Sequence, residues 1–139
     1  MYETILVGTD GSADANRAVV HALDQAAANG AALHAIFVVD TSRYGEPALS
    51  STELVVDAIE DWGHERLDEV VERADDLDVD VVTRCCHGDP HAEIIGYADD
   101  VDADVIVLGY QGQSHESSDH IGSVTDRVVR TAGRPVLVV

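Results

Sequence analysis

Five short apolar stretches alternate along the chain with four longer stretches whose apolar residues recur every three or four positions. Short apolar runs are typical of buried strands, and a spacing of three to four is typical of helices that pack one face inward. We predict strands at 2–9, 32–39, 79–87, 104–109 and 135–139. We predict helices at 13–29, at about 51–77, from Pro90 to about Val101, and at 122–132.

Residues that start and stop helices support these bounds. Ser12 is a suitable N-cap for the first helix, and Asn29-Gly30 is a suitable stop for it. Pro90 favours the first turn of the third helix, because its missing N–H is not needed there. The polar stretch that contains Gly45 and Pro47 is predicted to be a loop between the second strand and the second helix.

Strict alternation of strand and helix predicts an α/β fold: one open, parallel, five-stranded sheet with helices on both faces. We expect a single domain over residues 1–139, since no internal repeat or linker is visible. In such sheets, ligands bind at the carboxyl ends of the strands, where the strand order reverses. Candidate binding residues should therefore follow the strands.

One such segment follows the fourth strand and contains Gly109, Gly112, Gly122 and Ser123. Glycines let backbone N–H groups turn toward one point and approach a ligand closely. The start of a helix adds N–H groups without intrahelical acceptors and a partial positive charge, which suits a phosphate group. A buried strand, a glycine loop and a helix start thus predict a phosphate-binding site.

The spacing Gly-x2-Gly-x9-Gly-Ser in this segment resembles the nucleotide-binding signature of the universal stress protein (UspA) family. Three further stretches are similar to the same family in the expected order: Ile5–Ser12 with its Asp-Gly-Ser ending, His87–Pro90 with its Gly-Asp-Pro turn, and the closing Pro135–Val139. The resemblance covers the whole chain. It implies a Rossmann-like sheet with the strand order 3-2-1-4-5.

The resemblance also implies that the chain binds ATP or another adenine nucleotide, alone or with Mg²⁺. Asp10 and the backbone near Val38 would hold the ribose and adenine, Gly109 and Gly112 would line the ribose and phosphates, and the N–H groups of Gly122 and Ser123 would bind phosphate oxygens. The full set of implied nucleotide-binding residues is Thr9, Asp10, Val38, Leu108, Gly109, Gly112, Gly122, Ser123 and Val124.

Two functions fit this resemblance. The first is a stress-associated regulatory or sensor protein that responds to nucleotide occupancy. The second is a nucleotide-free dimeric scaffold, because the family includes a branch that binds no nucleotide. Either one would form a homodimer through the apolar final strand Val136–Val139 at a sheet edge, since an unpaired edge invites aggregation.

Some residues of the implied site also have purely structural interpretations. Ser123 and Asp126 have the spacing of a helix-capping pair, and Asp10 suits an ordinary turn between strand and helix. The residues between Gly112 and Gly122 are usually apolar or basic in the family, but here they include Glu116 and Asp119. An acid beside a triphosphate would repel it by about 1–2 kcal/mol at a surface-like dielectric.

The charge composition is extreme, with 27 acidic residues, 8 arginines and no lysine, for a formal net charge of −19. Such a charge disfavours binding to nucleic acid and to anionic membrane surfaces. Because the acids are scattered along the chain, we interpret them as a solvated surface adapted to high salt, as in halophilic archaea, rather than as a site for a cationic partner. The missing membrane-length apolar run and secretory signal predict a cytoplasmic protein.

Other kinds of chemistry find little support. The absence of lysine excludes a P-loop, and no catalytic triad or carboxylate pair is evident, so we predict no enzyme beyond slow ATP hydrolysis. Cys85, Cys86, His87 and His91 suggest zinc, but neighbouring side chains of a strand diverge, so we predict no metal site there. His115 and His120 are interpreted as solvated loop residues, with metal binding or pH sensing as the alternative.

Overall fold

A computed structural model describes residues 1–41, 50–112 and 121–139, with backbone alone at 50–53. Within these residues lie five strands and four helices in strict alternation. The elements are β1 (Thr4–Gly8), α1 (Ala13–Asn29), β2 (Ala32–Asp40), α2 (Ser50–Asp76), β3 (Val81–Gly88), α3 (Pro90–Val101), β4 (Val105–Leu108), α4 (Ser123–Thr131) and β5 (Val136–Val138).

The five strands form one parallel sheet in the order β3-β2-β1-β4-β5, which confirms the predicted order. β1 is the central strand, and its Leu6 lies in register with His34 of β2 and Ile106 of β4. The chain builds outward from β1 through β2 and β3, then returns to the other side of β1 with β4 and β5. The strand order therefore reverses between β1 and β4.

Two hydrophobic clusters pack against opposite faces of this sheet. The first joins α1 and α2 to β1 and β2 around Leu23, Leu67 and Phe37. The second joins α3 and α4 to β1 and β4 around Ile94, Ile106 and Val128. Successive strand residues alternate between the faces, so Ile5 and Val7 belong to the first cluster and Leu6 to the second. Helices cover both faces, as predicted.

The predicted helix ends hold in detail. The Ser12 side chain accepts the Ala15 N–H at 3.2 Å and caps α1. Gly30 ends α1 in the left-handed conformation at φ +63°, and its N–H donates to the Ala26 carbonyl. Pro90 occupies the first turn of α3. These local signals were sufficient because each acts within one turn of the helix.

Four of the five strands are shorter than predicted, whereas β2 is one residue longer because it extends to Asp40. Val79 does not begin β3, because its N–H donates to the Ala74 carbonyl at the end of α2.

α4 begins at Ser123 with Gly122 as its N-cap, and Asp126 pairs with Arg130 at 3.0 Å. The capping-pair interpretation of Ser123 and Asp126 is therefore wrong, because the N-cap of α4 is Gly122 and Ser123 is already the first residue of the helix.

Several predictions fall on residues that the structure does not describe. The proposed loop with Gly45 and Pro47 lies outside the described residues, as do Glu116, Asp119, His115 and His120. No helix among the described residues combines the length and the apolarity needed to cross a membrane.

Candidate functional site

A cavity of about 220 Å³ lies at the carboxyl ends of β1, β2 and β4, next to the reversal of strand order. This is more than about ten times the volume that one water molecule needs, so it can hold a ligand. All nine residues implied by the family resemblance line this one cavity: Thr9, Asp10, Val38, Leu108, Gly109, Gly112, Gly122, Ser123 and Val124.

The backbone of Val38 forms one wall, and its orientation follows from the sheet. The Thr9 N–H donates to the Ile36 carbonyl at 3.0 Å, so Ile36 directs its backbone polar groups toward β1. Val38 faces the same way, because backbone direction repeats every second residue of a strand. The register of β1 with β2 ends at Gly8 and Ile36. The Val38 N–H and C=O groups therefore point into the cavity past the end of β1.

Large apolar side chains form the adjacent wall. Phe37 and Trp62 pack edge to face, with ring centroids 5.8 Å apart, and Trp62 lines the cavity from α2. Gly11, at φ +78°, lies so close to the Trp62 ring that a Cβ there would overlap it. Ile94 adds an aliphatic surface from α3. This wall offers apolar contact beside the Val38 backbone, a combination suited to a flat heterocycle.

Asp10 stabilises the turn between β1 and α1, which is one of the two functions predicted for it. Its Oδ1 accepts the Ser12 N–H at 2.9 Å, and the Thr9 hydroxyl oxygen accepts the Gly11 N–H at 3.2 Å. Asp10 also lines the cavity, and a Cβ on Gly112 would overlap its Oδ2. One carboxylate thus shapes the turn after β1 and faces the glycine loop.

The first part of the glycine loop, residues 109–112, is held by contacts from two helices. The Gln111 N–H donates to Asp14 Oδ2 in the first turn of α1 at 2.9 Å, and the buried Thr125 hydroxyl in α4 donates to the Gly109 carbonyl at 2.8 Å. Gly109 lies directly on the α1 backbone, where a Cβ would come within 2.6 Å of the Asp14 carbonyl carbon. These contacts bring the loop against the carboxyl end of β1.

The opposite wall is the amino end of α4, where Ser123, Val124 and Thr125 line the cavity. The expected use of the Gly122 N–H needs correction. This amide donates to the Tyr110 carbonyl at 2.7 Å, so it closes the loop instead of facing a phosphate. The first-turn amides of α4 after Gly122 have no intrahelical acceptors, and the helix dipole adds positive potential there.

The charges around the cavity are negative. Among its described lining residues, the only charged side chains are Asp10 and Asp40, and there is neither a histidine nor an arginine. Among the described residues, only backbone amides are therefore available to bind an anion, together with any accompanying cation.

The sequence alone did not identify every residue of this site. Trp62 lies within the predicted second helix, but no local pattern in the sequence indicates that this residue lines a cavity at the end of the sheet. Asp14 and Thr125 anchor the glycine loop across 97 and 16 residues of sequence. Of these residues, only Asp14 has a feature that is visible in the sequence: it is an acidic residue in the first turn of a helix, where a negative charge is favourable.

The cysteines behave as predicted from strand geometry. Cys85 packs against the first hydrophobic cluster and Cys86 against the second, so the two thiols lie on opposite faces of β3. His91 pairs instead with Asp89, with Nδ1 and Oδ1 2.7 Å apart. Cys85, Cys86, His87 and His91 therefore do not converge on one ion.

Comparison with known proteins agrees with this architecture. The family model described as "Universal stress protein family" matches residues 1–139. A universal stress protein of Methanocaldococcus jannaschii is 37% identical over 140 residues, which cover 100% of this chain and 82% of that protein. The solved UspA of Lactobacillus plantarum is 31% identical with a TM-score of 0.86, covering 99% of this chain and 97% of that one. A universal stress protein solved in complex with cAMP is also 31% identical, with a TM-score of 0.70, covering 99% of this chain and 96% of that one.

Proposed function

We propose, from the premise that this chain belongs to the universal stress protein family, that it binds an adenine nucleotide in the cavity between β1 and β4. The observation that carries the proposal is a pair of complementary walls. The Val38 backbone faces the cavity from one side, and the amino end of α4 faces it from the other. A nucleotide has a heterocycle at one end and a phosphate at the other, and so it matches both walls.

In this arrangement, the adenine lies against Val38 and Trp62, where backbone groups and an apolar surface are adjacent. The ribose lies near Asp10 and Gly112, since a carboxylate accepts hydrogen bonds from sugar hydroxyls. The phosphate lies at the amides of Ser123 and Val124. The relative solved in complex with cAMP supports the ligand class, because cAMP carries the same three parts.

We further propose ATP, with Mg²⁺ offsetting the negative charge of Asp10 and Asp40, as the ligand. The protein then acts as a regulatory or sensor protein whose conformation responds to nucleotide occupancy. We propose no catalytic step for this site.

Calorimetry at molar KCl with ATP, ADP and AMP, each with and without Mg²⁺, tests this proposal. Gly122→Val should weaken binding by at least about tenfold, or 1.4 kcal/mol. A Cβ at Gly122 already lies 3.2 Å from the Gln111 Cα, so the branched side chain pushes the loop and the α4 amides apart. Gly96→Ala is the matched control, because a Cβ there meets nothing within 4 Å.

A second candidate, the nucleotide-free dimeric scaffold, is favoured by the β5 edge. Val139 directs its N–H to the Leu108 carbonyl of β4 at 2.9 Å, so Val136 and Val138 direct theirs outward. Leu137 in β5 and Val129 in α4 are exposed large apolar residues. We propose that a second copy pairs with this edge. A dimer that shows no heat and no thermal stabilisation with any of the three nucleotides would identify the scaffold.

A further inference from the structure

A group of potential metal ligands lies on the surface between α2 and β3, apart from the cavity described above. Glu60 and His64 are four residues apart on α2 and share one helix face. Cys85 on β3 faces the same helix, because it packs against the cluster that α2 covers. One ligand atom from each of these residues can be chosen so that all three lie within 4.8 Å of one another.

We propose that Glu60, His64 and Cys85 bind a divalent transition-metal ion of the zinc class. Tetrahedral zinc uses bonds of about 2.0–2.3 Å, so its ligand atoms lie roughly 3.3–3.8 Å apart. The His64 Nε2 and Glu60 Oε1 are 4.0 Å apart, so a small side-chain movement brings the atoms to that spacing. Both side chains are partly exposed, which allows this movement and gives the ion access from solvent.

The ligand types select the metal. Thiolate and imidazole favour zinc and similar ions, whereas Mg²⁺ and Ca²⁺ prefer sites made wholly of oxygen. Three protein ligands leave a fourth position for water. With Glu60 and the Cys85 thiolate both charged, the site carries two negative charges, which a divalent cation neutralises.

His87 completes the arrangement as a positioning residue. It lies two residues after Cys85 on the same face of β3, and its Nε2 is 3.5 Å from Glu60 Oε2. The Glu60 carboxylate thus lies between His64 and His87. We assign His87 the role of orienting this carboxylate, as residues around a metal site commonly orient its ligands.

The thiol must lose its proton to solvent as the sulfur–metal bond forms. Burial raises the pKa of Cys85, and the Glu60 and Cys86 charges raise it further. Without a cation, Cys85 therefore remains a thiol beside a carboxylate. A metal ion reverses this balance because it stabilises the deprotonated sulfur.

Cobalt titration of the full chain tests the proposal, after reduction, chelator treatment and removal of the chelator, in buffer free of nucleotide. Co²⁺ bound to a thiolate absorbs in the near ultraviolet by charge transfer from sulfur, and Zn²⁺ should displace it and abolish the band. We expect this band in the wild-type protein and its loss in Cys85→Ser. Cys86→Ser is the matched control and should keep the band, since that thiol lies on the other face of β3.

Glu60→Gln and His64→Ala should each weaken Co²⁺ binding by more than about 100-fold, whereas His87→Ala should weaken it by about 10–100-fold, the usual effect of losing an orienting partner. Glu65→Gln on α2 and His21→Ala on α1 are controls that should leave the affinity unchanged. Circular dichroism verifies that each variant is folded.

A wild-type protein without the charge-transfer band overturns the proposal, as does a band that survives Cys85→Ser. So does Co²⁺ binding that Glu60→Gln and His64→Ala leave unaltered. None of these results bears on nucleotide binding, because Glu60, His64 and Cys85 do not line the nucleotide cavity.

Discussion

Single glycines determine how closely the segments around the cavity approach one another. Gly109 lies on the backbone of α1, Gly112 faces Asp10, and Gly122 packs on Gln111. At Gly109 and Gly112 a side chain would occupy space that the α1 backbone or the Asp10 carboxylate already fills, and at Gly122 it would crowd the Gln111 backbone. The glycine spacing in the sequence therefore reflects three separate contacts of one loop.

Gly109→Ala should destabilise the fold by about 1–3 kcal/mol, the usual effect of overpacking. Its Cβ would meet the Asp14 carbonyl carbon at 2.6 Å and the Ala15 nitrogen at 2.8 Å, and backbone atoms cannot rotate away. Urea denaturation measures the change. Gly96→Ala serves as the control and should be neutral or stabilising by about 0.5–1 kcal/mol, because alanine favours a helix. Equal midpoints for Gly109→Ala and the wild type would contradict this account.

At the scale of elements, the features that could be predicted from the sequence are those determined by residues close together in the chain. The helix bounds at Ala13–Asn29 agree with the prediction because Ser12 and Gly30 act locally. The parallel sheet also followed from the alternation of strands and helices. The role of Trp62 and the engagement of the Gly122 N–H with Tyr110 depend on contacts between distant segments, for which one sequence gives no pattern. The proposed metal site was not predicted for the same reason, since Glu60 and His64 come close to Cys85 only when α2 packs on β3.

The contact between β2 and α3 should make stability depend on pH. His34 on β2 places its Nδ1 3.0 Å from the Tyr97 hydroxyl on α3, and burial lowers the His34 pKa below its ordinary 6.5. The unfolded chain then binds a proton at this histidine more readily than the folded chain does. The contribution of His34 to the free energy of unfolding is therefore full above pH 6.5 and declines as the pH falls toward the folded pKa. His34→Gln should reduce the slope of the unfolding free energy against pH between about 7 and 5.

Urea denaturation at several pH values measures this slope. Tyr97→Phe removes the hydroxyl but keeps the imidazole, so it should retain the pH dependence and separate the hydrogen bond from the titration. If the free energy of unfolding depended on pH equally in the wild type and in His34→Gln, His34 would not be the source of the pH dependence.

The outer edge of β5 should control assembly. Val138→Pro removes an N–H that points away from β4, so it should shift a homodimer toward monomer while the ladder between β4 and β5 remains. Leu137→Pro is the contrasting variant, because its N–H faces β4 and its loss should destabilise the fold. Sedimentation at high salt distinguishes a dimer from the 14.8 kDa monomer. A wild-type protein that sediments as a monomer at micromolar concentration would disprove the proposed interface.

At the scale of the whole molecule, charge is the dominant feature. With 27 acids and 8 arginines, one-to-one ion pairing with arginine leaves 19 acids without such a partner. The arginine pairs among the described residues are mostly local, such as Arg130 with Asp126 and Arg66 with Glu69. Surface pairs of this kind contribute about 0–1 kcal/mol each and cannot offset the repulsion of the remaining charges.

Stability should therefore increase with salt. The screening length shortens from about 30 Å at 0.01 M to about 3 Å at 1 M, so repulsion within the folded chain weakens. Circular dichroism melts across KCl concentrations measure the effect, and most of the rise should occur below about 0.3 M, where screening changes most. A melting temperature that stays constant or increases on dilution would reject the high-salt interpretation.

The central position of β1 has a consequence for synthesis on the ribosome. The first 88 residues supply β1, β2 and β3 with both helices of one face, whereas the second hydrophobic cluster depends largely on α3, β4 and α4. Leu6 and Ile36 lie on that second face. They stay uncovered while about 40 further residues are added, roughly 2–8 s at 5–20 residues per second. We expect a chaperone that engages the nascent chain in this interval to bind this face of β1 and β2.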